Sequence, residues 1–409
     1  MADRSVDFLI AGGGVAAASC AAKLRELGAQ GSILLVGREP DAPYERPPAS
    51  KGYLRGESTR AQALLHPEAF WAAQEIELAV RTSVTKLDPA GRTASLSSKQ
   101  TVAFGSALVA TGANVRRLRL EGGALEGIHY LRTLGNADAI RAGAGTAEHV
   151  VLVGGSYVAC EVAASLTGLG KRCTMVMEEA EPMSRGFGDA VGGFARGLLE
   201  ANGVELVCAD PVERFEGDDG RLERVVTRSG RVVAADMAVM GTGAVPDVML
   251  ARAAGLALGE SGGVACDATL RTSAESVWAA GDMCEYASTT DGSRRRIEHW
   301  EVARAQGETA AANMLGAGLA YDDMPYFWSD ISDWATLEYV GVGRIWEREI
   351  VRGSIPGGEF TVFFVDDDRV VGAVTAGRPA DLDAATDLIR ARIPLGARAA
   401  ELADPGVAL

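Results

Sequence analysis

Nothing in these 409 residues is spaced for thiol relay or metal binding. Six cysteines, Cys20, Cys160, Cys173, Cys208, Cys266 and Cys284, are scattered without a C-x-x-C, C-x-x-x-x-C or metal-like interval, so they read as free thiols and no metal is expected. No apolar run is long enough to span a bilayer, and no membrane partner is expected. The opening MADRSVDFLIAGGG lacks the basic, then apolar, then small-residue layout of a secretory signal, so a cytoplasmic location is expected. Proline is sparse (14 residues against 50 glycines), and no linker or low-complexity stretch interrupts the chain. Positive charge is short as well: 40 Lys and Arg against 55 Asp and Glu leave a formal charge of -15. A nucleic-acid binder needs a net basic face to displace counterions, so that class is excluded. Local basic runs at Arg116, Arg117 and Arg119 and at Arg294, Arg295 and Arg296 read as solvated surface or as docking sites for an acidic protein.

What is present is glycine set between apolar runs. The length calls for two or three packed domains. VDFLIA, from Val6 to Ala11, ends in Gly12, Gly13 and Gly14; a helical pattern then covers Ala16 to Leu27, and Ile33 to Val36 reads as the next strand. Strand, glycine turn, helix and strand together predict a dinucleotide site, with Gly12 making the bend and Gly14 leaving room for a pyrophosphate at the helix N-terminus. Ala17 stands at the third fingerprint position. The arrangement recurs from His149 to Met177, where the turn reads G-x-S-x-x-A at Gly154, Ser156 and Ala159. Two such units predict paired dinucleotide sites, and Ser156 is expected to crowd the second phosphate approach. FGSALVATG (Phe104 to Gly112) and VWAAGD (Val277 to Asp282) are apolar strands closing on small-residue turns, the second delivering an aspartate where ligands of parallel sheets sit.

Further stretches carry a family resemblance: PYERPPASK (Pro43 to Lys51), LVATGA (Leu108 to Ala113), HYLRTL (His129 to Leu134), GTGAVPD (Gly241 to Asp247), AAGD (Ala279 to Asp282) and YFWSD (Tyr326 to Asp330). In this order they resemble the FAD-dependent ferredoxin reductases of oxygenase systems, putidaredoxin-reductase-like, and the apoptosis-inducing-factor branch of the same pyridine nucleotide-disulfide oxidoreductase superfamily. The resemblance implies an α/β fold with two Rossmann-like domains, one for FAD and one for NAD, plus a smaller C-terminal α/β domain. It implies FAD binding by residues 1-114 and 247-322, NAD(H) binding by 115-246, and a C-terminal domain at 323-409. Gly12, Gly14 and Ala16 would line the FAD pyrophosphate; Arg46, Val84, Gly112 and Arg132 would contact the flavin nucleotide; Gly281 and Asp282 would meet the ribityl chain. Lys51 would lie beside flavin N5, paired with Glu161, since a buried lysine needs a counter-charge. Trp328 would stand at the flavin and nicotinamide face, with His299 and Trp300 as neighbours. Gly154, Gly155, Tyr157, Val158, Glu178 and Gly243 would serve the NAD site.

The chain departs from the family pattern at two matching positions. Relatives place an acid at the end of the second strand of each unit to hold the adenosine ribose; here Arg38 stands in the first, followed by Glu39, and Met177 in the second, followed by Glu178 and Glu179. Glu39 is the expected acid of the FAD site. Arg38 itself is expected to stack on adenine or bind phosphate. Glu178 and Glu179 would repel a 2′-phosphate, which favours NADH over NADPH. With no thiol pair, electrons are expected to leave directly from flavin, one at a time, to a small iron-sulfur protein such as a ferredoxin serving an oxygenase. Other acceptors (rubredoxin, quinone, dye, oxygen) and an apoptosis-inducing-factor-like redox sensor are the alternatives, and a homodimer stays open.

Overall fold

The structure, a computed structural model, describes residues 2–342 and 345–409. Two compact units divide the chain: Met1–Glu45, Ala61–Asn114 and Val245–Pro325 form one, and Arg46–Arg60, Val115–Ala244 and Tyr326–Leu409 form the other. Arg46–Arg60 goes with the second unit because its short helix Gly52–Arg55 packs on the helices Leu134–Ala144 and Tyr157–Gly168.

In the first unit the strands Ile76–Ala79, Ile33–Val36, Arg4–Ala11 and Thr101–Val109 lie side by side in parallel, and Val277–Ala279 pairs in parallel with the far half of the last. Thr93–Leu96 and Val84–Asp88 extend the sheet antiparallel. Strands covered on both faces read as unbroken apolar runs, and ILLV is buried at all four positions. The helix Val15–Glu26 makes the crossover, its alanines keeping that face thin. The helix Trp300–Met314 exploits this by placing Gly307 against the Ala16 carbonyl, where a β-carbon would come within 2.2 Å of the oxygen.

In the second unit five strands run parallel in the order Glu205–Val207, Arg172–Val176, His149–Val153, Met237–Met240, Ile128–Tyr130. Tyr157–Gly168 is the crossover helix. A three-stranded antiparallel sheet, Val212–Asp218, Arg221–Thr227 and Val232–Ala234, supplies the apolar residues that cover Val151 and Val176. The end of the chain folds as a five-stranded antiparallel sheet in the order Tyr326–Ile331, Ala335–Gly341, Arg369–Ala376, Glu359–Asp366, Arg348–Ser354, with the helix Ala380–Ala391 against it. The molecule is therefore α/β with two Rossmann-like sheets. No helix among the described residues is long and apolar enough to cross a membrane.

Candidate active site

The two glycine turns are built alike, down to single hydrogen bonds. Gly12 N–H donates to Val36 O at 2.9 Å, and Gly154 N–H donates to Val176 O at 2.8 Å. Both glycines hold positive φ, +146° and +108°. A β-carbon on Gly12 would stand 2.1 Å from Ala110 O, and one on Gly154 2.6 Å from Gly241 O, each carbonyl lying just beyond the strand next in the sheet. Only glycine fits such an interlock. The turns then diverge. Gly14 caps its helix with no side-chain hydrogen bond and has open space where a β-carbon would be, leaving first-turn N–H groups to face an anion. Ser156, at the equivalent place, turns its hydroxyl inward: Oγ accepts from Ala159 N–H at 3.3 Å and donates to Gly241 O at 3.1 Å. The serine is a helix cap, its hydroxyl directed to Ala159 N–H and Gly241 O.

Within the first unit, Arg38 is held by two neighbours while its side chain stays about half exposed. Its guanidinium donates to Asp247 at 2.8 Å and to Asn114 at 2.7 Å. Asp247 is fixed in turn by its backbone, which donates to Gly112 O and accepts from Thr111 Oγ1. Glu39 accepts from the Tyr44 hydroxyl at 2.5 Å. Val84 begins the outermost strand, half-buried, and Gly112 sits at φ +70°. Gly281, at φ +82°, has its N–H held by the buried Gln306 side chain at 2.9 Å, and Asp282 follows at the strand end. His299 is the N-cap residue of the helix that Trp300 begins. In the arginine run at 294 to 296 Arg294 is exposed, and Arg295 and Arg296 are half-buried. Arg294 donates to the carbonyls of Cys266 and Glu285, Arg295 pairs with Asp291 at 2.6 Å, and Arg296 pairs with Glu298. In the second unit Arg116, Arg117 and Arg119 are exposed, with Arg117 over the Tyr130 ring.

Within the second unit, the Lys51 ammonium stands 2.7 Å from Glu161 Oε1. Glu161 is 3 % exposed and takes two further donors: Ser329 Oγ to Oε1 at 2.7 Å and Ser50 Oγ to Oε2 at 2.6 Å. A buried carboxylate is tolerable only when so satisfied. Arg46 donates to Arg132 O at 2.7 Å. On the strand Tyr326–Ile331 burial alternates, with Phe327, Ser329 and Ile331 inward and Tyr326, Trp328 and Asp330 half-buried on the other face. The Trp328 and Tyr326 rings are near-parallel at 6.3 Å. Tyr157 packs on Phe327, and Val158 follows it in the first turn of the helix. Gly243 has φ +88° and open space beside it. Beyond the strand Arg172–Val176, Glu178 is 67 % exposed, whereas Glu179 is 16 % exposed and lies against the turn, 3.4 Å from where a Gly155 β-carbon would stand. Arg185 bridges both, 3.2 Å from Glu179.

The cysteines hold one arrangement that their spacing hides: Cys266 and Cys284 are both buried at neighbouring strands, with the Cys266 thiol donating to Val264 O at 3.5 Å. The neighbouring Cys266 thiol and burial hold the Cys284 thiol well above its ordinary value, which disfavours the thiolate that a relay requires.

Residues 6–307 match the model of the pyridine nucleotide-disulphide oxidoreductase family, and residues 326–409 match the reductase C-terminal domain. The chain belongs to that family. This oxidoreductase is 34 % identical to the ferredoxin--NAD(+) reductase component of the anthranilate 1,2-dioxygenase system of Burkholderia cepacia, over 98 % of both chains. It is 31 % identical to rhodocoxin reductase of Rhodococcus erythropolis, over 95 % of its own length and 91 % of the relative's. Among solved structures, the ferredoxin reductase for the CYP199A2 system from Rhodopseudomonas palustris superposes with a TM-score of 0.91 at 29 % identity, covering 95 % of each chain.

Membership implies FAD and a pyridine nucleotide as the redox groups, and the oxidoreductase's two turns fit them. The opening at Gly14 on an uncapped twelve-residue helix has the room and the free N–H groups that would hold a pyrophosphate, and the second turn keeps the same interlock. Sequence reasoning missed Ser50, Ser329, Arg185 and Gln306, and it did not rank Glu179 above Glu178. Ser50 and Ser329 were inside quoted motifs, but only the fold brings them to Glu161.

Proposed function

We propose that this protein takes electrons from NADH through bound FAD and delivers them singly to a small iron-sulfur protein of ferredoxin type that serves an oxygenase. The observation that carries the reading is the pair of matched glycine turns together with the buried Lys51–Glu161 pair. Bound FAD supplies a two-electron acceptor that can release its electrons one at a time. The chain's own residues hold and orient. Gly12 and Gly14 shape the FAD phosphate seat, with Ala16 behind them; Lys51 places a fixed positive charge beside the flavin, which favours its anionic reduced form. Arg46, Val84, Gly112, Arg132, Gly281, Asp282, His299 and Trp300 complete the FAD surroundings, and Trp328 offers a ring face to the nicotinamide.

NADH rather than NADPH is supported by Glu179. Its carboxylate lies at the glycine turn, where a ribose diol can donate to it and a 2′-phosphate is repelled, so we assign it the part first given to Glu178. Gly154, Gly155, Tyr157, Val158 and Gly243 frame the same seat. Reductase names among the relatives and the buried state of Cys266 and Cys284 support direct exit from the flavin over a disulfide relay. An acidic partner would meet Arg116, Arg117 and Arg119, of the two runs the one exposed throughout.

Anaerobic titration with NADH is the test. One equivalent is expected to bleach the visible flavin band, and turnover with a [2Fe–2S] ferredoxin is expected to exceed that with oxygen or a quinone by about tenfold or more, a margin set by electrostatic docking. A flavin that stays oxidised under NADH refutes the electron path; equal rates with all acceptors refute the partner.

A further inference from the structure

We propose that Ser329, together with Ser50, is a positioning residue that aims Lys51 by locking the Glu161 carboxylate. The proposal rests on the reading that Lys51 lies beside the flavin. An ammonium and a carboxylate alone define a distance but not an orientation, since the carboxylate is free to turn about its own axis. Here both oxygens are claimed: Oε1 by Lys51 and Ser329, and Oε2 by Ser50. Ser50 is itself tied down, its carbonyl accepting from the buried Ser165 hydroxyl at 2.7 Å. With these donors in place the plane of the carboxylate is set, and so is the position of the Lys51 nitrogen.

The three partners come from distant parts of the sequence, 111 and 168 residues from Glu161 for Ser50 and Ser329. Ser329 has no exposed surface, so its hydroxyl is shielded from bulk solvent. It also sits next to Trp328 on one strand, pointing to the opposite face. A single strand of the C-terminal module therefore sets both the aromatic face and the charge. That gives the module a direct hand in the flavin's electron affinity.

The experiment compares wild type with Ser329→Ala, Ser329→Thr, Ser50→Ala and Lys51→Gln as FAD-loaded proteins. It reads the midpoint potential of the flavin against a reference dye, the limiting rate of its reduction by NADH, and the NADH concentration for half-saturation. Ser329→Ala is expected to make the potential more negative and to slow the limiting rate about tenfold, the scale of one lost hydrogen bond to a charged group, with half-saturation unchanged. Ser329→Thr, which keeps the hydroxyl, is expected to restore both. Lys51→Gln should move the potential the same way and further. If Lys51→Gln shifts it and Ser329→Ala does not, the inference falls and the placement of Lys51 stands. If Lys51→Gln leaves it unmoved, the placement itself is wrong. Should Ser329→Ala fail to retain FAD, Ser50→Ala decides: an unchanged potential there overturns the proposal.

Discussion

Glu178 and Glu179 show how much one residue's direction decides. In sequence they are equivalent neighbours beyond a strand, and nothing in their composition ranks them. In the fold Glu178 projects into solvent, while Glu179 lies against the turn and is held by Arg185. A solvated carboxylate contributes little to recognition, whereas one fixed at the seat of a diol makes charge-assisted hydrogen bonds. Glu179→Gln is therefore expected to weaken NADH binding by about tenfold and to narrow the preference over NADPH, with Glu178→Gln close to wild type. Equilibrium titration of both nucleotides against the three proteins checks this, and a larger effect at Glu178 reverses the assignment. Ser156 teaches the same lesson from the other side. The sequence shows a serine where glycine is usual, but not that the helix behind it needs an N-cap and will turn the hydroxyl inward.

At the scale of elements, what the sequence made legible was local. The runs VDFLIA and ILLV and the helix after each glycine turn are all present, because periodicity and flanking glycines act over a few residues. Contacts between distant elements left no such trace. Glu161 and Ser329 meet only through tertiary packing, as do Arg294 and the Cys266 and Glu285 carbonyls to which it donates. The contact between the helices Val15–Glu26 and Trp300–Met314 is of this kind. Gly307 allows the close approach, and the neighbouring Gln306 fixes Gly281 N–H. A β-carbon there meets backbone, which cannot step aside as a side chain would. Gly307→Ala is expected to cost about 2–3 kcal/mol, the usual toll of overpacking a core, and to release FAD at lower denaturant than wild type. Gly193→Ala, in a helix with open space around it, should be neutral or stabilising by up to about 1 kcal/mol. Urea melts followed by flavin fluorescence distinguish them; equal midpoints for the two variants would show that the helices can part without cost.

For the whole molecule, two effects of acid oppose each other. With a formal charge of -15, lowering the pH relieves self-repulsion and favours the compact state. Burial works the other way at three of the four histidines, His66, His129 and His149, because it holds each below its ordinary value. A folded value below the unfolded one means that the native state resists the proton. Stability from these sites is then complete above about pH 6.5 and is lost as pH falls through that value toward the depressed one. Asp236, held low by the backbone N–H groups of His149 and Glu148, keeps its contribution through this range and loses it only in stronger acid. A single melting curve cannot separate the opposing effects, but a difference can. His149 is buried with its Nε2 on Thr174 Oγ1 at 2.8 Å, a contact that a glutamine amide can replace without titrating. His149→Gln carries the same self-repulsion as the parent near neutrality, costing roughly 1 kcal/mol in packing there. Between about pH 7 and about pH 5.5 it is expected to lose less stability than wild type, because the unfolded parent gains a proton that the variant cannot bind. Urea unfolding of both proteins across that interval measures the gap; curves that stay parallel would mean that His149 takes up its proton equally in both states.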